Sequence, residues 1–257
     1  FGGTWLTHKY PGIRSDSDMH TLGYSFKPWT QAKSIADGPS IRDYVNETAD
    51  EFDIRRHIRF DHKVQTASWD STQSHWVLTS NLSDGSTTKI SGDFLFMCGG
   101  YYSYNEPHRP EFPGESRYQG QVLHPQFWPE DLDYDGKKVI VIGSGATAMT
   151  IVPSMTQKGA QVTMVQRSPT YVVSRPAEDK IANTLRKWLP EKWAYAITRL
   201  KNTTLSGYFY RQTRSQPAKT KAQLLGMATA NLGEEMVKAH FTPSYNPWDQ
   251  RMCLIPD

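Results

Sequence analysis

The run Lys137-Lys138-Val139-Ile140-Val141-Ile142 is followed at once by Gly143-Ser144-Gly145-Ala146-Thr147-Ala148, and that order leaves the chain little local freedom. Four consecutive β-branched residues predict a buried strand. The glycines then turn the chain into a helix that runs to about Lys158, where Gly159 ends it. Residues 161–165 supply a second strand, completing a β-α-β unit of about thirty residues. Gly143 permits the tight turn, Gly145 lets backbone approach a pyrophosphate, and Ala148 is small enough for the helix to pack on the strand. Around Ser144, Ala146 and Thr147 the helix start offers free amide groups and a partial positive charge to phosphates. The spacing therefore predicts a dinucleotide site.

The end of the second strand selects the dinucleotide. An acidic residue there would take the ribose 2′-hydroxyl, but the sequence reads Gln166-Arg167-Ser168. A guanidinium and a hydroxyl suit a 2′-phosphate, and no carboxylate is present to repel it. The expected coenzyme is NADP(H) rather than NAD(H).

Elsewhere the pattern is mixed. Residues 1–30 are rich in Gly, Pro and aromatics and predict irregular chain with a short helix at most. Residues 40–52 read as a helix capped by Ser40, with Ile41, Tyr44, Val45, Thr48 and Phe52 on one side. Strands are expected over 58–68, 76–79 and 87–90, the last two joined by an Asp84-Gly85 turn. Phe94-Leu95-Phe96-Met97-Cys98 reads as a buried parallel strand. Residues 107–129 are loop-like. Ile181, Leu185, Trp188 and Leu189, then Trp193, Ile197 and Leu200 across Pro190, mark the apolar side of a helical segment.

Charge is unevenly placed. Residues 186–221 hold nine Lys/Arg against Glu191 alone, leaving 20 basic and 25 acidic residues elsewhere. This basic segment reads first as a solvated helical face, which can steer an anionic cofactor, with peripheral membrane contact as the functional alternative. No nucleic-acid partner and no metal site are expected. Cys98 and Cys253 form no paired-cysteine motif, which excludes a disulfide reductase and suits a reducing, cytoplasmic compartment. Gly143-Ser144-Gly145 is not the GxSxG of a serine hydrolase.

Ahead of the β-α-β unit stands Tyr118-x-Gly120-x-x-x-His124-x-x-x-Trp128-Pro129. It resembles the FxGxxxHxxxW(P) signature of Baeyer–Villiger monooxygenases, with Tyr118 in the place of Phe. Gly2-Gly3-Thr4-Trp5 with Tyr10-Pro11-Gly12-x-Arg14-x-Asp16, and Asn246-Pro247-Trp248-Asp249-Gln250-Arg251, resemble two further phrases of that family, nearest to its ethionamide-activating type. The resemblance implies an α/β protein with two partial Rossmann-like dinucleotide-binding domains, a small β-meander and a helical insertion. On that map residues 1–130 are the later part of an FAD domain with its linker. Residues 131–174 begin the NADP domain, 175–245 are the insertion, and 246–257 return with the active-site arginine. The unit gripping the FAD pyrophosphate is expected upstream of Phe1, which makes the chain an internal fragment.

The resemblance also implies the chemistry. NADPH reduces FAD, O₂ adds, and a C4a-peroxyflavin attacks a ketone or a sulfur compound. Arg251 would stabilise the developing negative charge, with Asp16 paired to it. Gly3, Thr4 and Trp5 would contact FAD near its flavin and Val64 its adenine end. Gly120, His124 and Trp128 would serve the linker, as hinge or packing rather than acid–base chemistry. One departure stands out: Gln250 occupies a position where family members often carry a lysine for the 2′-phosphate. Two other readings stay open: an N- or S-oxygenating flavin monooxygenase, and a nucleotide-binding or membrane-associated piece without turnover.

Overall fold

Glycines, prolines and polar residues break up the N-terminal stretch, and only single helical turns form there: α1 (Thr4–Thr7) and α2 (Met19–Leu22). The structure is a computed structural model and describes residues 1–256. Asp18 caps α2, accepting from the Thr21 amide at 3.0 Å. Next comes α3 (Gly38–Glu51). Its cap is Asp37, not the expected Ser40: Asp37 Oδ1 accepts from the Ser40 amide at 3.0 Å and from its hydroxyl at 2.8 Å. A carboxylate three residues ahead satisfies two donors at once, so Ser40 falls inside the first turn. Ile41, Tyr44 and Thr48 are buried, whereas Phe52 lies past the helix end and is exposed.

The chain divides into two units, one holding Phe1–Tyr44 with everything from Gly114 onward, the other Val45–Pro113. The smaller unit contains an antiparallel meander, β1 (His62–Asp70), β2 (His75–Leu82) and β3 (Thr87–Gly92), in that spatial order. The first strand starts later than residue 58 because Arg55–His57 form a 3₁₀ turn and Asp61 takes a left-handed φ of 58°. Gly85, at φ 83°, makes the tight β2–β3 turn. Phe94–Cys98 does not form the expected strand. Phe94, Phe96 and Met97 are about four-fifths exposed (81, 76 and 78%). A parallel strand requires a neighbour to bond with, and no described strand pairs with this segment.

In the larger unit β4 (Lys138–Ile142), α4 (Ala146–Gln157) and β5 (Gln161–Val165) form the β-α-β unit at the expected positions. The strands run parallel, from Lys138 opposite Gln161 to Ile142 opposite Val165. Ile151 and Met155 of α4 are buried against Tyr134 and Ala160, with Tyr10, Trp128, Val139, Val141 and Val162 packed around them. A second parallel pair joins β6 (Tyr171–Arg175) to β7 (Met252–Pro256). Between them run α5 (Lys180–Trp188), α6 (Glu191–Ser215), α7 (Pro217–Leu232) and α8 (Glu234–His240). No helix among the described residues is long and apolar enough to cross a membrane.

The helical segment turns a different side inward than its apolar spacing suggests. Ile181, Trp188, Trp193, Ile197 and Leu200 are exposed, while α6 buries Ala194, Thr198 and Asn202. The reason is a polar seam with the N-terminal stretch. Asn202 donates to Asp18 at 2.9 Å, Arg199 donates to the carbonyls of His20 and Thr21, and Lys201 meets Asp179 at 2.6 Å. Buried polar groups need such partners, and these ones dictate the helix orientation. Burial, aided by Arg186 and Lys201, holds the His20 imidazole below the ordinary histidine range against the pull of Asp18 and Asp179.

Asp179 also caps α5 through the Ala182 amide at 3.0 Å. Burial raises its pKa, but hydrogen bonds from Lys201 and Ala182 outweigh that, so it lies below 3.8. A depressed carboxylate contributes stability that is complete above its ordinary pKa and is lost as pH falls through the depressed one. Asp179→Asn keeps a capping side chain and loses the charge pair, so it is expected to cost about 1–3 kcal/mol near neutrality. The difference from the parent should close below pH 3.8; urea unfolding at several pH values measures it.

Candidate nucleotide-binding site

The β-branched strand β4 delivers the chain to Gly143, whose amide donates to the Val165 carbonyl at 2.8 Å. Gly143 sits at φ 140°, where a side chain would strain the backbone. Ser144 is buried, and its hydroxyl donates to the Ser168 carbonyl at 2.8 Å. The Gly-rich turn is thus tied twice to the end of β5.

Gly145 is the N-cap of α4 and no side chain caps that helix. The first intrahelical bond is Met149 N–H to the Gly145 carbonyl, so the amides of Ala146, Thr147 and Ala148 have no intrahelical acceptor. Gly145 has an ordinary φ of −83°, and a Cβ added to it would meet nothing within 4 Å. The turn itself does not require glycine at this position. Open space before unsatisfied amides is what a pyrophosphate needs. The Tyr10 phenol is pushed up by burial and by Asp16, against the influence of the Thr147 side chain and Arg14.

Beyond β5 the three selector residues separate. Gln166 turns away and donates to the His240 carbonyl at 2.7 Å. Arg167 is exposed. Ser168 receives Arg251: its hydroxyl accepts from Nη2 at 2.9 Å and its carbonyl from the same nitrogen at 3.3 Å. Arg251 precedes β7, and its own carbonyl accepts from the Tyr245 hydroxyl at 3.0 Å and from Thr170 Oγ1 at 3.2 Å. Tyr245 and Thr170 were not singled out from sequence, because a hydroxyl serving a distant carbonyl leaves no local pattern. Tyr171 supports the same loop, donating to the Tyr245 carbonyl at 2.5 Å, with its pKa pushed up to about 12 by burial and by Tyr245 and Asp249.

The expected Asp16–Arg251 pair is not the one formed. Arg251 is drawn along the 168–170 loop by its bond to Ser168, while the charge that acts on Asp16 is Arg14. Partial burial raises the Asp16 carboxyl, and Arg14 opposes the rise. The two residues share a neighbour instead: Cys253, buried on β7, has its thiol pushed up by desolvation, with Asp16 adding to the rise and Arg251 and Arg14 opposing it.

The remaining candidates are dispersed. Gly3, at φ 53°, starts α1, which contains Thr4 and Trp5. Val64 lies in the smaller unit, exposed on β1 where the register shifts. His124 Nδ1 accepts from the Gln126 amide at 3.2 Å and caps the 3₁₀ turn at 125–127. Gly120 lies against the ring of Tyr118, which leaves no room for a Cβ. Trp128 packs edge-on against Tyr134 with centroids 6.2 Å apart. Among the described residues no group of three or more His, Cys, Asp or Glu is placed to hold a metal ion.

The sequence pattern of the flavin-binding monooxygenase-like family matches residues 32–216. The FAD-containing monooxygenase EthA of Mycolicibacterium smegmatis is 51% identical over 258 residues, covering all of this chain and 52% of that protein. This chain therefore spans about half the length of the curated relatives it matches. A steroid monooxygenase bound to NADP shares the fold with a TM-score of 0.78 at 24% identity, over 99% of this chain and 56% of that one. A variant of cyclohexanone monooxygenase from Rhodococcus sp. Phi1, bound to NADP⁺, aligns with a TM-score of 0.60 at 27% identity, over 76% of this chain and 36% of that one.

Since the fold does not need glycine at 145, Gly145→Ser is expected to hold or raise stability slightly, as a better N-cap. The same change fills the space before the amides. Titration with NADP⁺ should show affinity reduced about tenfold or more, the cost of displacing a phosphate from its backbone donors. Thermal unfolding run in parallel checks the first half of the expectation.

Proposed function

We propose, from the premise that the chain belongs to the flavin-binding monooxygenase-like family, that it is part of an NADPH- and FAD-dependent monooxygenase of the Baeyer–Villiger type. Its substrates are O₂ and a ketone or a sulfur compound. The observation that carries this reading is the convergence of an open Gly-rich turn, an acid-free selector loop and the Arg251 segment in one set of hydrogen bonds. Residues 1–130 belong to the FAD domain and its linker and 131–174 to the NADP domain, with 175–245 as insertion and 246–257 as the returning arginine segment. The same reading places the protein in the cytoplasm, with peripheral membrane contact through residues 186–221, supported by exposed Trp188 and Trp193 beside Lys187 and Lys192.

When bound, NADPH supplies a hydride and FAD passes its electrons to O₂. The chain's own residues bind, orient and supply charge. Gly143 shapes the turn, Gly145 leaves open the space before the amides of Ala146, Thr147 and Ala148, which hold the NADPH pyrophosphate, and Ser144 fixes the turn to the selector loop. Arg167 and Ser168 take the 2′-phosphate. Gly3, Thr4, Trp5 and Val64 serve FAD. Arg251 is braced through its carbonyl by Tyr245 and Thr170. It stabilises negative charge on oxygen as oxygen is transferred. Asp16 serves the same region of the chain, in the field of Arg14. Gly120, His124 and Trp128 set the linker geometry.

The test uses the full-length enzyme supplied with FAD, NADPH and a cyclic ketone. Lactone formation coupled to NADPH and O₂ consumption is expected. Arg251→Ala should lower oxygenation about 100-fold or more, the usual loss on removing a charge-stabilising donor. Oxidation of sulfides or amines without any lactone would assign the enzyme to the N- or S-oxygenating class, and absence of NADPH oxidation would remove the reading altogether.

A further inference from the structure

His20 sits in the single turn α2 with only 3% of its surface exposed. Its ring borders a small cavity shared with Trp29 of the N-terminal stretch, Arg186 of α5, and Glu191, Ala194 and Tyr195 of α6. His20 Nε2 is buried there with no hydrogen-bond partner among the described residues. Around it runs the seam that docks α5 and α6. Asn202 donates to Asp18, and Arg199 donates to the carbonyls of His20 and Thr21. Asn183 donates to the Ala32 carbonyl, and Arg186 to those of Trp29 and Gln31.

Neutral imidazole fits that position, because the tautomer protonated on Nδ1 leaves only a lone pair at Nε2. The imidazolium carries a proton on both nitrogens and would bury a charged donor with nothing to receive it. The charges around the ring do not change this. Asp18 already accepts from the Thr21 amide and hydroxyl and from Asn202. Asp179 is engaged by the Ala182 amide and Lys201. Glu191 borders the cavity from the exposed first turn of α6. Arg186 and Lys201 carry the same sign as a protonated ring, and with burial they outweigh the pull of Asp18 and Asp179.

We propose that His20 is a proton-operated latch: its neutral ring keeps residues 18–34 closed against α5 and α6, and its protonation opens that seam. The direction follows from linkage. A histidine held below its ordinary value contributes stability that is complete above 6.5 and is lost as pH falls through the folded value. The opening is confined to the seam, because the β4-α4-β5 unit rests on a separate cluster of Tyr134, Ile151, Met155 and Ala160.

The experiment is hydrogen–deuterium exchange of the full-length protein between about pH 7.5 and about pH 5, corrected for intrinsic exchange rates, in the parent, His20→Gln and His20→Phe. Asp179, with its pKa below 3.8, stays charged throughout that range. In the parent, opening of residues 18–34 and 180–202 should rise by up to about tenfold for each pH unit below 6.5, the linkage of one proton. Protection of β4, α4 and β5 should stay level. Both variants lack the titrating ring, so their seams should show no such rise. A parent seam as insensitive to pH as the variants' overturns the proposal, and so does a variant that keeps the parental rise. Protection lost equally from β4, α4 and β5 also overturns it, since that marks general acid unfolding. His20→Phe decides should His20→Gln unfold, and the parent's own profile decides should neither variant fold.

Discussion

Two hydrogen bonds hold the candidate site of this chain together: Gly143 amide to Val165 carbonyl, and Ser144 hydroxyl to Ser168 carbonyl, each 2.8 Å. They exist because β4 and β5 run parallel and in register to their last residues, so that both strands end at the same level. Whatever follows the strands must then share the space above them. The glycine turn, the selector loop and the N-terminus of α4 meet there, and Ile151 and Met155 of the helix pack into a cluster with Tyr134 and Ala160. Arg251 joins from the other parallel pair. Its place depends on Tyr245 and Thr170 as much as on Ser168, since those hydroxyls hold its backbone while the guanidinium spans to the loop.

The β-α-β unit was legible because its determinants are local. A β-branched run, glycines at fixed spacing and a terminating glycine each act within a few residues, and β5 matches its expected bounds of 161–165. Asp84-Gly85 succeeded for the same reason, its turn needing only a left-handed glycine. Phe94–Cys98 failed because apolar content states that a segment prefers burial without stating what will bury it. The cap of α3 was misplaced by three residues, where two good capping residues, Asp37 and Ser40, compete and the carboxylate serves both donors.

The site was legible only in pieces. Gly145 and Ser168 are candidates read from their spacing along the chain, whereas the contact between Arg251 and Ser168 joins positions 83 residues apart, next to the β6–β7 pairing. Family resemblance names both Arg251 and Asp16 as candidates and implies a direct pair. Arg14 is the charge that acts on Asp16, and Ser168 is the partner of the Arg251 side chain. His124 illustrates the opposite case: an imidazole in a signature whose ring nitrogen is occupied in capping a turn.

The seam beneath α6 carries a consequence for descent. Apolar contacts tolerate substitution one residue at a time because many shapes fill similar volume. Asp18 with Asn202, and Lys201 with Asp179, are instead matched couples of donor and acceptor. Loss of one member strands the other in a poorly hydrated place. Drift in this region is therefore constrained to concerted exchanges, and homologous chains should record those couples as covarying columns while the outward Trp188 and Trp193 vary independently.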